Sequence, residues 1–348
     1  MPNRTTNIVK FPDADTCAKA KRLFCDKSGN LDFNRVDPMP DTMHIHSTDL
    51  MKLATVCAFV SDCIYDIDLT QSASAMEHAI DIVIDNADDK MRHDIEMELS
   101  RNRARMARTM RRYLAALEEV GAVPVLPIFE FDMTDNLKTG IVNAIRFAVT
   151  EYAVIDHCPD ALESFSDDDS LCCKGYIQYG HIIQHNIKEY GVPDWYTWSI
   201  EHWGVKWNAS DTDWTDTEAV FKTPWNAPIP IIAEMSRRLD AFLLVAFADE
   251  DFGSGAGIAV CGPDNQYLER DYSFPVQHNP NDLANAIKFV FYVIDPEQVY
   301  CRVDVKTGEI LWECEDDDRF DSIPELDLSH IDDMLNDFLQ DAISELSK

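Results

Sequence analysis

The sequence predicts an α+β protein with a long helical stretch in its middle and an acidic helix near its end. Three observations carry this. Apolar residues recur at helical spacing almost without a break between residues 48 and 152. Short β-branched and aromatic runs lie on both sides of that stretch. From Glu315 onward the chain holds twelve acidic residues and two basic ones, yet keeps an apolar stripe.

In chain order, Thr6 to Phe11 reads as a strand and Asp13 to Cys25 as a helix, with Cys17, Ala20, Leu23 and Phe24 near helical spacing and Ser28-Gly29-Asn30 to stop it. Val36-Asp37-Pro38-Met39-Pro40 is then extended, because proline fixes its own φ and restricts the residue before it. Helices are expected over Leu50 to Ile64, Ala73 to Ile84, Asp88 to Val120 and Asn136 to Tyr152, with Gly121, Pro124 and Pro127 breaking the third from the fourth. An acidic stretch, Glu163 to Asp169, precedes a helix at His181 to Tyr190 and a tryptophan-rich segment, Trp195 to Trp214. Val220-Phe221-Lys222 suggests a strand, Pro228 to Leu239 a helix opened by prolines, and Ala241 to Ala248 a continuous apolar run of buried-strand length. Ile258 to Cys261 is a shorter strand, and Asn281 to Ile294 repeats apolar residues at helical spacing until Pro296. Val299 to Val303 and Glu309 to Trp312 flank Lys306-Thr307-Gly308, a hairpin signature. Ile331, Leu335, Phe338, Leu339, Ile343 and Leu346 complete an amphipathic acidic helix.

The chain has 348 residues, 30 Lys plus Arg against 63 Asp plus Glu, and a formal charge of −33. With 46% hydrophobic residues it buries a sizeable core, which excludes a disordered or low-complexity chain. Such an acidic surface disfavours nucleic acid or an anionic membrane as a direct partner, since each phosphate contact needs a cation on the protein side. A protein partner is expected. No run of roughly 20 apolar residues exists to span a membrane, and MPNRTTNIVKFPDADT has no signal-peptide core, so the expected location is the cytoplasm. Ten cysteines without a paired rhythm read as buried thiols, not disulfides.

Three stretches carry a resemblance: MPN with LDFNRVDPMPDTM at 31–43, WYTWSIEHWGVKWNAS at 195–210, and FKTPWNAPIPII at 221–232. In this order they resemble the YubB-like proteins of plasmids and phages, a family of unknown function with a ferredoxin-like C-terminal domain. The resemblance covers residues 1–47 and 190–275; Arg4-Thr5 stands where the family has Trp-Cys, and 48–185 has no counterpart. It implies a ferredoxin-like α/β sandwich, a βαββαβ topology without an iron–sulfur cluster, and no cysteine run has cluster spacing. The expected parts are an N-terminal α+β segment at 1–47, a helical insertion at 48–175, the ferredoxin-like domain at 176–314 and the acidic helical tail at 315–348.

Trp195, Trp198, Trp203 and Trp207 recur at intervals that a helix would gather on one side with Lys206, as an interface or as the domain's own core. His157-Cys158, Cys172-Cys173, His181 and His185 form the most metal-like set, with the last two histidines at i and i+4, but neither CxxC nor HExxH occurs there. Gly253-Ser254-Gly255-Ala256-Gly257 leads into a strand and so reads as a hairpin, not a phosphate loop. Asp249, Glu250 and Asp251 before it are the best carboxylates for a hydrolase or nuclease metal. Arg101, Arg105, Arg108 and Arg112 share one face of the expected helix 88–120, opposite an apolar stripe of Leu99, Met106, Met110, Tyr113 and Leu117. They match acidic residues elsewhere, in the 329–346 helix and at Asp316, Asp317 and Asp318, within the molecule or between copies.

No catalytic constellation outweighs its structural explanation. The expectation is therefore a non-enzymatic interaction protein without cofactor, a homo-oligomer; the resemblance to a plasmid and phage family implies further that it is a phage or plasmid protein that binds a host complex such as a DNA-acting defence nuclease, by DNA mimicry or by wrapping. The competing expectation is a metal-dependent hydrolase using the acidic triplet.

Overall fold

The computed structural model describes residues 3–45, 48–67, 69, 73–122, 136–162, 175–250, 255–273, 280–294, 301–304, 309–312 and 328–348. The chain divides into two compact units, Met1–Met39 with Trp198–Lys348, and Pro40–Thr197. The chain passes from one unit to the other at 39/40 and at 197/198. The helix after residue 175 packs with the helical unit, and the acidic C-terminal helix packs on the sheet.

The first unit holds a six-stranded antiparallel sheet in the order β2-β3-β1-β4-β5-β6. Its strands are β1 (Arg4–Lys10), β2 (Ser210–Trp214), β3 (Glu218–Pro224), β4 (Leu243–Asp249), β5 (Gly257–Cys261) and β6 (Tyr267–Asp271). Helix α1 (Ala14–Phe24) follows β1, a single turn α2 (Phe33–Val36) comes next, and α10 (Ile229–Leu239) joins β3 to β4. Thus β1, α1, β2, β3, α10 and β4 form the βαββαβ sequence of a ferredoxin-like fold. β2 and β6 are strands that periodicity did not reveal: they lie at the sheet edges and bury none of their residues fully. All seven side chains of β4 are buried, because both faces of the sheet are covered.

Strand alternation sorts the core. Ile8, Leu244, Ala246, Ile258 and Val260 face α11 (Pro280–Val293) and α12 (Ile331–Leu346), whose Phe289, Val290, Leu335 and Phe338 pack on them. Val9, Phe221 and Val245 fall on the opposite face, where Phe33 of α2 meets Phe221 edge-on at 6.2 Å. α10 is fixed by Ser236, whose hydroxyl lies 2.6 and 2.9 Å from the Ala241 and Cys261 carbonyl oxygens and shares its one proton between them. Strands β7 (Cys301–Asp304) and β8 (Glu309–Trp312) pair as the expected hairpin; its turn lies outside the described residues.

The helical unit contains α3 (Met51–Ile64), α4 (Ala73–Asn86), α5 (Asp89–Arg101), α6 (Arg103–Glu119), α7 (Asn136–His157) and α8 (Tyr176–Tyr190), which share one core. The single helix expected over 88–120 is two. Asn102 leaves helical geometry and turns its amide back onto the Glu98 carbonyl and carboxylate, both at 3.1 Å, as short polar side chains that compete for the backbone do. Arg101 therefore ends α5 and does not share a helix with Arg105, Arg108 and Arg112.

Glu151 of α7 is wholly buried. Its carboxylate accepts the Tyr176 and Ile177 N–H groups at 3.1 and 2.8 Å, and the Tyr113 hydroxyl at 3.4 Å. It stands in for the N-cap side chain that Gly175 lacks, placing an anion at the positive end of α8. α8 then runs so close to α3 that a Cβ on Gly180 would strike the Ala54 carbonyl oxygen.

Glu151→Ala is expected to lower stability by about 3 kcal/mol, as it orphans two buried N–H groups, and Tyr113→Phe by about 1 kcal/mol. Gly180→Ala should cost about 2 kcal/mol or more through the backbone clash. Urea unfolding midpoints of the three variants measure this ranking.

Candidate functional site

The tryptophan segment forms α9 (Trp195–Trp203), started by Asp194, whose carboxylate accepts the Thr197 N–H at 2.9 Å. Trp198 and Trp203 are buried and meet edge-on at 5.5 Å, and Phe33 meets Trp203 at 5.8 Å. The Trp203 indole donates to the Asp37 carbonyl at 3.0 Å. His202 lies flat on Trp198 at 4.1 Å, with its Nδ1 2.8 Å from the Asp37 carboxylate. Asn208 accepts the Phe33 N–H and donates to Asp32, both at 2.8 Å. The distant motifs at 31–43 and 195–210 are thus two halves of one packed and hydrogen-bonded joint. His202 was not singled out from sequence; its position four residues after Trp198 in a helix was the available signal.

Trp195 is half-buried and meets Tyr196 edge-on at 5.9 Å. Trp207 leaves the helix altogether and, 44% exposed, stacks at 5.9 Å on Trp225, which is 43% exposed. The Lys206 ammonium lies 4.5 Å from the Trp207 ring centre and 5.5 Å from that of Trp225. Trp225 sits at φ +66°, a rare conformation for a bulky residue, and its N–H donates to the Asn3 carbonyl at 3.0 Å. The four tryptophans do not form one patch: two are core, one is half-buried and one belongs to an exposed pair whose second member sequence spacing could not supply.

Asp249 and Glu250, the two described members of the acidic triplet, differ in burial. Asp249 ends β4 almost fully buried and accepts the Thr5 hydroxyl at 3.3 Å, within a polar row where the Asn7 amide donates to the Thr223 hydroxyl at 2.8 Å. Glu250 is exposed, with its N–H on the Arg4 carbonyl at 2.9 Å, and Asp251 lies outside the described residues. His181 pairs through Nε2 with Asp62 at 2.9 Å, His185 meets Tyr190 edge-on, and both line a shallow groove with Tyr152 and Ile155; Cys172 and Cys173 lie outside the described residues. Among the described residues, no three His, Cys, Asp or Glu side chains converge as a metal site.

On α6, Arg105 is half-buried with Nη1 3.9 Å from Asp49, while Arg103, Arg108, Arg111 and Arg112 are exposed. Met106, Thr109, Tyr113 and Leu117 bury the opposite face. α12 buries Ile331, Leu335, Phe338 and Ala342 and exposes Asp332, Asp333, Asp337, Asp341 and Glu345. It is clipped to the sheet by Lys10, whose ammonium reaches Asp332 at 2.8 Å and Glu218 at 3.1 Å, with the Tyr292 hydroxyl 3.1 Å from Asp332. Burial acts to lower the Lys10 pKa, but the bonds to Asp332 and Tyr292 outweigh it and hold it above the ordinary lysine value. The same Lys10 contact holds Asp332 below the usual carboxylate value. Asp316, Asp317 and Asp318 lie outside the described residues.

Trp198→Ala is expected to cost about 3–5 kcal/mol and Trp207→Ala about 1 kcal/mol or less, which thermal denaturation separates. The lowered pKa of Asp332 means that its pairing stabilises the fold above about pH 4 and is lost as pH falls through the depressed value. The raised pKa of Lys10 makes its share persist until strongly alkaline pH. Because Asp332 is largely exposed, Asp332→Asn should cost under about 1 kcal/mol at neutral pH, with the gap to the parent closing below pH 4 in urea titrations.

A family model, the ferredoxin-like domain in Api92-like protein, matches residues 202–276. That span starts at His202 and runs through β6; in this fold its sheet is completed by β1, between β3 and β4. The crystal structure of a protein api92 from Yersinia pseudotuberculosis is similar at 9% identity, over 78% of this chain and 98% of that chain, with a TM-score of 0.29. No curated protein matches. No helix among the described residues is long and apolar enough to cross a membrane. Residues 202–276 therefore carry a ferredoxin-like domain of the Api92-like kind, a description of topology.

Proposed function

We propose that this chain is a phage- or plasmid-encoded, YubB-like protein that acts without catalysis in the host cytoplasm, binding and inhibiting a host complex, and that the complex is an anti-phage nuclease. The observation that carries this reading is the acidic rod of α12. Its 16 residues span roughly 24 Å at about 1.5 Å per residue and expose five carboxylates, on a helix held rigid by its apolar face and by Lys10. On a chain of net charge −33, such a rod offers a DNA-binding surface the negative charge it is built to receive. The metal-hydrolase alternative has less support, since Asp249 is buried against Thr5 while Glu250 is exposed.

Affinity capture of the tagged chain from a lysate of a defence-carrying host, followed by native mass spectrometry and a nuclease assay, tests the proposal. A stoichiometric complex with a nuclease whose activity falls on binding is the expected result. Inhibition should weaken steeply as salt rises and be lost in Asp333→Asn/Asp337→Asn/Asp341→Asn, whereas Asp249→Asn should retain it. Salt-insensitive inhibition retained by the triple variant would replace mimicry with shape-based wrapping, and metal-dependent turnover lost in Asp249→Asn would replace inhibition with hydrolysis.

A further inference from the structure

A groove of about 620 Å³ opens in the sheet unit between α12, the start of α1 and the turn between α10 and β4. Phe11, Phe242, Leu244, Leu339 and Ile343 give it an apolar floor. Asp13, Glu218 and Asp240 stand on its walls against one cation, Lys10, already paired with Glu218 and Asp332. An apolar floor beneath an acidic rim suits a basic surface that also carries small apolar residues.

Such a surface exists on this chain. The solvent side of α6 alternates Ala104, Ala107 and Ala115 with Arg108 and Arg111, all exposed, and Arg112 stands beside them. Among the described residues, Arg103, Arg108, Arg111 and Arg112 make no ion pair, although the chain is strongly acidic. The alanines keep the helix surface low around Arg108 and Arg111, so that the longer arginine side chains project beyond it.

We propose that the α6 face of one copy docks on the α12 groove of a second copy, with Arg108 and Arg111 reaching Glu218 and Asp240 while their alkyl stems cover Phe242 and Leu339. The two surfaces differ, so the contact is head-to-tail and leaves a free groove and a free arginine face at the ends. This contact is independent of the inhibitor reading and stands or falls without a host target.

The test uses the full chain in analytical ultracentrifugation. Copies should associate at about 50 mM salt and dissociate at least about tenfold more readily at about 500 mM. Arg108→Glu/Arg111→Glu, altered on α6, and Asn336→Arg/Leu339→Arg, altered at the groove, should each be monomeric. Mixed, they should form a 1:1 dimer and nothing larger, because the first keeps an intact groove and the second an intact α6. Thermal melts verify that each variant is folded, and Asn336→Arg alone replaces the groove double variant if that one is not. A parent chain that stays monomeric at low salt overturns the proposal. So does association that survives in either folded variant, or two monomeric variants that fail to pair on mixing.

Discussion

The sheet unit depends on the pairing of β1. Residues 4–10 lie between β3 and β4, which arrive more than 200 residues later, and bond to both along nearly their whole length. Without β1 the sheet would fall into two pieces, each with an open edge. The entropy of closing so long a loop grows only slowly with its length, which is why the helical unit can be carried between α1 and β2. The burial of Val9 and Ile8 on opposite faces fixes the register, since a one-residue slip would exchange the two faces.

The arrangement of chemistry follows from that insertion. The joint of Phe33 and Asp37 with Trp198, His202 and Trp203 lies beside the two points where the chain leaves and re-enters the sheet unit. Its aromatic stacking and hydrogen bonds occupy the Trp198 and Trp203 indoles, which are core and not a binding patch. Within the helical unit, the buried Glu151 performs the equivalent task by anchoring the start of α8 to α7. Among the described residues, the arginine side of α6, the carboxylates of α12 and the Trp207–Trp225 pair stay exposed.

Much of the fold was legible because burial imposes a period. The stripe of α12, the spacing of α3 and α7 and the apolar run of β4 are each a direct record of which side faces a core. The candidate sites were less legible. Asp249-Glu250-Asp251 looks like a unit in one dimension, but strand alternation and the Thr5 hydroxyl part its first two members. The break at Asn102 is a single side-chain competition that leaves the apolar stripe intact, so periodicity passes over it.

By itself the sequence determined the mixed α+β class, the helical middle, the amphipathic acidic helix and the charge of −33, because composition and period are local properties of the chain. Only the tertiary structure decided that β1 is central, that α8 belongs with the helical unit, that Trp225 rather than Trp203 partners Trp207, and that Lys10 clips α12 to the sheet. Each of those choices joins residues far apart in the chain, and such pairings are settled by the burial and hydrogen bonding of the whole fold, not by any one segment.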